Sequence, residues 1–237
     1  MNIKKYAFVA FVTFGFSSSI SAFDYSFKSG GQYFKLYGGA SHIEDINVSL
    51  SGEILPNVTA DADYLYGYDT GWTVGGTFGS EIFGNFRGEV DISYSRFEAD
   101  DIDGSVTFTN TLTGATSPAI GGSAPVDGDL KSLDIYTNLI YDVNEFEKVL
   151  PYFGFGVGMS RSDEELKTIG YSDDQLEVNA QEKSTSPGIN LILGTELINF
   201  SNLSAGYRFG FRHVWSGDEE VSGAEVISHQ FHLKYSF

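Results

Sequence analysis

The chain has 237 residues, no cysteine and a formal net charge of −18, with 28 glycines, 20 phenylalanines and 14 tyrosines against 5 prolines. Without cysteine it holds neither a disulfide framework nor a thiolate metal site, and a chain so acidic repels nucleic acid. The excess of aromatic and turn-forming residues favours strands over helices.

Lys4 and Lys5 precede an apolar run from Tyr6 to Phe16, and the small-residue stretch "SSSISA" follows. A charged start, a greasy core and a small-residue end make a secretory signal. The run is about 11 residues, short of the roughly 20 that a membrane-spanning helix needs. Residues 1–22 are expected to be removed after Ala22, which leaves 23–237 as one β domain.

From there the chain alternates. In a strand, neighbouring side chains point to opposite faces. "YFKLYGGA" sets Phe34, Leu36 and Ala40 on one parity, and "WTVGGTFG" does the same with Trp72, Val74 and Phe78. "FRGEVDISY" places Phe86, Val90, Ile92 and Tyr94 against Arg87, Glu89 and Asp91. "LDIYTNLIYDV" places Leu133, Ile135 and Leu139 against Asp134, Asn138 and Asp142. "YFGFGVGM" alternates Phe153, Phe155 and Val157 with glycine, and "INLILGTEL" opposes Leu191 and Leu193 to Asn190 and Glu196. "LSAGYRFGFRHVW" sets Tyr207, Phe209 and Phe211 against Arg208 and Arg212. The last strand, "VISHQFHLKYSF", carries Ile227, Phe231, Leu233, Tyr235 and Phe237 on the apolar parity and Lys234 on the other. That makes eight strands.

The connections between them alternate in length. Short ones fall at Gly84–Asn85, around Glu145–Val149 and at Asn199–Asn202; long ones run over 42–70, 98–130, 162–184 and 216–226. All long ones lie at one end of the meander, which is the connectivity of a transmembrane barrel with four long extracellular loops and three short periplasmic turns. A secreted lipocalin-like barrel would need an apolar inside. Here the face opposite the aromatic one carries Lys35, Glu81, Arg87, Glu89, Asp91, Asp134, Asp142, Glu196, Arg208, Arg212 and Lys234, five cations against six anions. Such a set suits a polar interior, so the aromatic face meets lipid. The expected fold is an all-β, eight-stranded, antiparallel up-and-down transmembrane β-barrel. Lumen charges must pair, because an unpaired buried ion costs several kcal/mol. Strand position groups Arg87, Lys35 and Lys234 with Glu81, Glu89, Asp142 and Glu196, and Arg208 and Arg212 with Asp91 and Asp134.

With its signal segment, eight strands, loop asymmetry and "LKYSF" ending, the chain resembles the small outer-membrane β-barrel family, which includes the OmpA transmembrane domain, opacity-type surface proteins and "porin family" surface antigens. The likeness covers about residues 30–237 and rests on architecture. It departs from full-length OmpA in that nothing follows Phe237, so a peptidoglycan-binding domain is not expected. The resemblance implies the outer membrane of a Gram-negative bacterium, Phe237 as a signal to the barrel-assembly machinery, and contact with outer-membrane lipid and lipopolysaccharide. It also implies a structural and antigenic surface role, with adhesion or host-cell contact through the acidic loops. A narrow-pore porin is the alternative, and a lipid-modifying enzyme the third.

No catalytic residue, cofactor or metal site is expected. His213 and Ser216, like His229 and Ser228, point to opposite faces, which leaves His42, His213, His229 and His232 to the boundary between polar and apolar zones. Asp100–Gly104, "DDIDG", fails as a calcium loop, since the register that puts Gly104 at position six puts Ala99 at the first ligand. One feature of the rim points to a ligand. Arg96, Lys131, Arg161 and Lys183 lie just beyond the last apolar residues of their strands on the outward parity, where they would meet lipopolysaccharide phosphates.

Overall fold

Alternation of this kind commits nearly all of the described residues to strands. The computed structural model describes residues 31–143, 150–171, 174–216 and 223–237, and side chains outside 166–180. The strands are β1 (Gln32–Ile43), β2 (Ile46–Leu55), β3 (Val58–Tyr68), β4 (Gly71–Phe83), β5 (Phe86–Asn110), β6 (Ile120–Asp142), β7 (Leu150–Tyr171), β8 (Asp174–Phe200), β9 (Leu203–Val214) and β10 (Ala224–Ser236). The expected signal segment and the turn at 144–149 lie outside the described residues.

Eight of the ten strands close a ring. β1 pairs with β4, β4 with β5, and so on through β9 to β10, which pairs back onto β1, all antiparallel. A row of facing residues that starts at Lys183 runs through Asp163, Lys131, Arg96, Trp72, Ala40, His229 and Phe209. It returns to β8 at Leu193, ten residues from its start. That stagger tilts the strands by roughly 40°, within the range of closed barrels. The tight turn between β4 and β5 has Gly84 at φ +52°, a conformation that costs glycine little.

Lipid and lumen are separated by parity. On β1, Leu36 is 58% exposed while its neighbour Lys35 is 1% exposed. The outward face is an apolar band. Its lower edge carries the rings of Phe83, Phe86, Tyr141 and Phe153, each within 5.2 Å of the next. Its upper edge carries Trp72 against Tyr94 at 5.6 Å. Such girdles mark the two membrane interfaces. No helix of the described residues is long and apolar enough to cross a membrane; the crossing is made by strands.

The long segments differ from loops in one respect: three of them are mostly strand. β2 and β3 form a hairpin that pairs with β5 above the ring. The upper halves of β5, β6, β7 and β8 continue the same ladders. An open sheet in the order β2-β3-β5-β6-β7-β8 therefore rises from one side of the barrel. Asp100–Gly104 lies inside β5, so it is no loop at all.

Candidate functional site

The lumen is built in tiers by the inward parity of each strand. At the periplasmic end, Lys35 Nζ lies 2.6 Å from Glu89 Oε1, to which the Tyr33 hydroxyl donates at 2.5 Å. Arg87 reaches the two oxygens of Asp142 at 2.7 Å each and donates to Tyr33 at 2.9 Å. Glu196 is held by Lys234 at 3.0 Å, by the Ser204 hydroxyl at 2.7 Å, and by His232 at 3.3 Å. One tier up, Asp91 accepts from Arg208 at 2.8 Å, Tyr37 at 2.6 Å and Thr77 at 2.7 Å. Higher still, Asp134 takes Arg212 and the Ser132 hydroxyl. Apart from Asp142, which Arg87 alone holds among the described residues, each carboxylate has several donors, the condition under which charge is tolerated away from water.

Glu81 is a correction. It is exposed at the turn end of β4 and makes no ion pair among the described residues. The barrel mouth is open to water there, and Arg87 opposite is already engaged by Asp142. The remaining lumen charges are five positive and five negative.

The alternation itself puts Tyr136 on the polar parity with Asp134 and Asn138, whereas the other inward tyrosines, Tyr33, Tyr37 and Tyr152, are not assigned by it. Tyr33, Tyr37, Tyr136 and Tyr152 are all buried in the lumen. The Arg208 guanidinium lies 4.6 Å from the centre of the Tyr37 ring, and Arg212 5.2 Å from that of Tyr136. Such cation–ring contacts add to the pairing. The rings fit because the facing residue has no side chain: a Cβ on Gly79 would stand 2.3 Å from Tyr33, and one on Gly194 2.4 Å from Tyr152. The signal was present as "Y" on the polar parity opposite "G", but it needs the register to be seen.

The histidines also divide differently from expectation. His232 is buried in the lumen beside Glu196 and Tyr152. His229 is exposed on the lipid face, where the Tyr207 hydroxyl and its Nδ1 share a hydrogen bond. His213 stands near the rim, 3.3 Å from Glu225.

Above the ion pairs, hydroxyls link Ser41 to Thr73 at 2.5 Å and Thr73 to Ser95 at 2.7 Å. Over them Ile43, Tyr68, Phe97, Leu130 and Val226 close an apolar cluster, each at most 7% exposed. Tyr68, from β3, donates to Glu164 at 2.8 Å. Burial pushes the Glu164 carboxyl above its ordinary range despite that donor, and Glu182, its facing residue on β8, adds to the rise. From Lys35 up through Thr77, Asp91 and Asp134 to Phe97, the lumen-facing side chains are almost wholly buried.

On the outer rim the four cations do lie on the outward parity, interleaved with acids. Arg96 binds Asp129 at 2.7 Å and Lys131 lies 3.6 Å from Glu165. Lys183 lies 3.1 Å from Asp163 and holds that carboxyl below its usual range. Arg161 is exposed and makes no ion pair among the described residues. Beside Arg96 a cleft of about 310 Å³ is lined by Thr70, Trp72, Asp69 and Glu98.

The outer face of the open sheet carries hydroxyls and carboxylates. Ser49 donates to Asp63 at 2.7 Å and Ser51 to Asp61 at 2.6 Å. Asn47, Asp63, Asp103, Ser105 and Ser123 line a shallow cleft of about 440 Å³ on this face. Among the described residues no group of three metal-ligating side chains converges.

No family model matches the chain, and no curated protein matches it. Among solved structures it is similar to Neisserial surface protein A (NspA), at 16% identity and a TM-score of 0.48 over 86% of this chain and 97% of that one. It is similar to the outer membrane protein OprG from Pseudomonas aeruginosa, at 15% identity and 0.44 over 88% and 97%. Ail, the attachment invasion locus protein of Yersinia pestis, is similar at 13% identity and 0.42 over 87% and 99%.

Proposed function

We propose that this protein is an outer-membrane surface barrel that displays its open sheet for contact with other molecules and does not conduct. The observation that carries the reading is the division of labour along one set of strands. Ion pairs and an apolar cluster fill the lumen, while an acidic, hydroxyl-rich face stands clear of the membrane on a rigid base. Recognition surfaces usually sit on such scaffolded extensions. The negative face suits a basic or hydroxyl-rich partner on another cell and disfavours anionic polymers. In this reading the signal segment directs export, and Phe237 presents its ring to the assembly machinery. Arg96, Lys131, Arg161 and Lys183 reach lipopolysaccharide phosphate at the rim.

Purified protein in planar bilayers is expected to show no unitary current steps. Cells displaying it should bind host-cell surfaces, and cells displaying a chain without residues 46–66 should not, while the shortened barrel keeps its heat-modifiable gel migration. Unitary currents would return the narrow-pore reading. Equal binding by the shortened chain would end the contact reading.

A further inference from the structure

His229 occupies an unusual place for an imidazole. It points outward from β10, exposed, between the rings of Phe209 at 5.3 Å and Tyr207 at 6.2 Å, on the parity of Phe231, Leu233 and Tyr235. Eight residues of tilted strand separate it from Phe237, which puts it about 20 Å above that end of a band roughly 25 Å tall. This is the upper third of the apolar wall, the level of the chain roots of the outer leaflet. There is no water there to satisfy a polar group.

Its Nδ1 is engaged by the Tyr207 hydroxyl. When the hydroxyl donates to Nδ1, the ring proton resides on Nε2, and Nε2 becomes a donor directed away from Tyr207. Among the described residues Nε2 has no partner. The flank toward β1 is open: the residue facing His229 is Ala40, and the one facing Phe231 is Gly38. A Cβ on Gly38 would meet nothing nearer than 3.5 Å. The other three histidines are placed otherwise, His213 against Glu225, His232 against Glu196, and His42 near the upper edge. His229 alone among them sits inside the band with a donor left over, and an ionisable group at membrane depth marks a site.

We propose that His229, oriented by Tyr207, is a lipid-recognition site on the barrel wall. The Nε2–H donates to an oxygen at the root of an acyl chain, and the chain lies along the shallow track left by Gly38 and Ala40. Ester carbonyls of phospholipid and the acyl hydroxyls of lipopolysaccharide both offer that oxygen.

The test is ¹⁵N NMR of the imidazole of His229 in three kinds of nanodisc. One holds ester-linked phosphatidylcholine, one its ether-linked analogue without carbonyls, and one the ether lipid with added lipopolysaccharide. A different Nε2 resonance in the ester disc than in the ether disc supports the site and assigns the phospholipid carbonyl. A change only on adding lipopolysaccharide supports it and assigns lipopolysaccharide as the source of the oxygen. Identical resonances in all three overturn it. As a second reading, any difference in melting temperature between ester and ether discs should be lost in His229→Phe. Tyr207→Phe should shrink the ester–ether resonance difference by releasing the tautomer. Retention of both differences in the variants would equally overturn the proposal.

Discussion

Within the membrane, β5 and β6 face lipid with Val90, Ile92, Leu133 and Ile135 and face the lumen with Asp91, Ser93, Asp134 and Asn138. A few residues higher the same two strands are reversed. Phe97, Ile102, Ala124, Val126 and Leu130 turn inward, and Glu98, Asp103, Asp127 and Lys131 turn outward. The difference follows from the solvent outside. Lipid demands an apolar exterior and leaves polar groups to pair in the lumen; above the rim water lies outside, and the ordinary rule of an apolar inside returns. One continuous strand therefore serves two opposite hydrophobic orders.

The comparison breaks most severely in the lower region. Asp134→Ala leaves Arg212 buried without its carboxylate, and the loss is expected at about 3–5 kcal/mol. Refolding titrations into bilayers measure it. Joint replacement of Asp134 and Arg212 by apolar residues of similar volume should recover most of that loss. If the single variant were as stable as the wild type, the pair would not bear on stability.

Next is the wall itself. Leu191→Arg or Phe209→Arg, on the lipid face near mid-strand, should cost about 2–4 kcal/mol. The same charge at Ser105, on the wet face of the open sheet, should stay within about 0.5 kcal/mol. The contrast between the two sites is the measurement. Equal tolerance would mean that the boundary drawn between Tyr94 and Glu98 is misplaced.

A smaller effect is expected in the apolar cluster over the lumen. Ile43→Val removes one methylene from a site 2% exposed, and about 0.5–1.5 kcal/mol should go with it. The same replacement at Ile135, exposed toward lipid, should cost less, since lipid fills the space left behind. Thermal melts of the two variants in one bilayer compare them directly.

This reversal also explains how far the sequence could be read. Within the band the period-two pattern is plain: Leu191 and Leu193 alternate with Asn190 and Ile192, and the fold class follows. The charges on the polar parity are visible too, and strand height groups Arg208 and Arg212 with Asp91 and Asp134. Above the rim the pattern fails for two reasons. The polarity inverts, so Asp100, Asp101 and Asp103 read as a solvated loop. The inward set also changes on β5 from odd numbers, ending at Phe97, to even numbers, beginning at Ile102, across an irregularity between Glu98 and Asp101. A period-two search loses the strand at that step. Contacts that depend on register, such as Tyr33 over Gly79 or Tyr68 on Glu164, need partners 46 and 96 residues away and leave no local trace.

The smallest expected effect concerns pH, and it falls where the two regions meet. Tyr68 ties the β2–β3 hairpin across the mouth by donating to Glu164, which is half-buried and faces Glu182. Burial first, and Glu182 after it, raise the Glu164 carboxyl above its unfolded value, while the Tyr68 hydrogen bond only partly opposes them. The folded state therefore prefers the protonated form. Its contribution is fully present below the unfolded pKa, near 4.3 for a glutamate, and is lost as pH rises through the raised folded value. Acidification from neutral should thus tighten the hairpin, seen as slower proteolysis of the β2–β3 segment at about pH 5 than at pH 7.5. Asp101, half-buried, titrates in the same direction, raised by burial and by Asp103, Asp100 and Asp45, so the wild-type curve alone does not isolate Glu164. Glu164→Gln keeps an acceptor for Tyr68 and removes the titration. It should hold the hairpin at pH 7.5 at least as well as the wild type and show a weaker response to acid, the difference between the two curves being the Glu164 contribution. Superimposable curves would place the acid response elsewhere in the sheet and leave Tyr68–Glu164 as a simple tether.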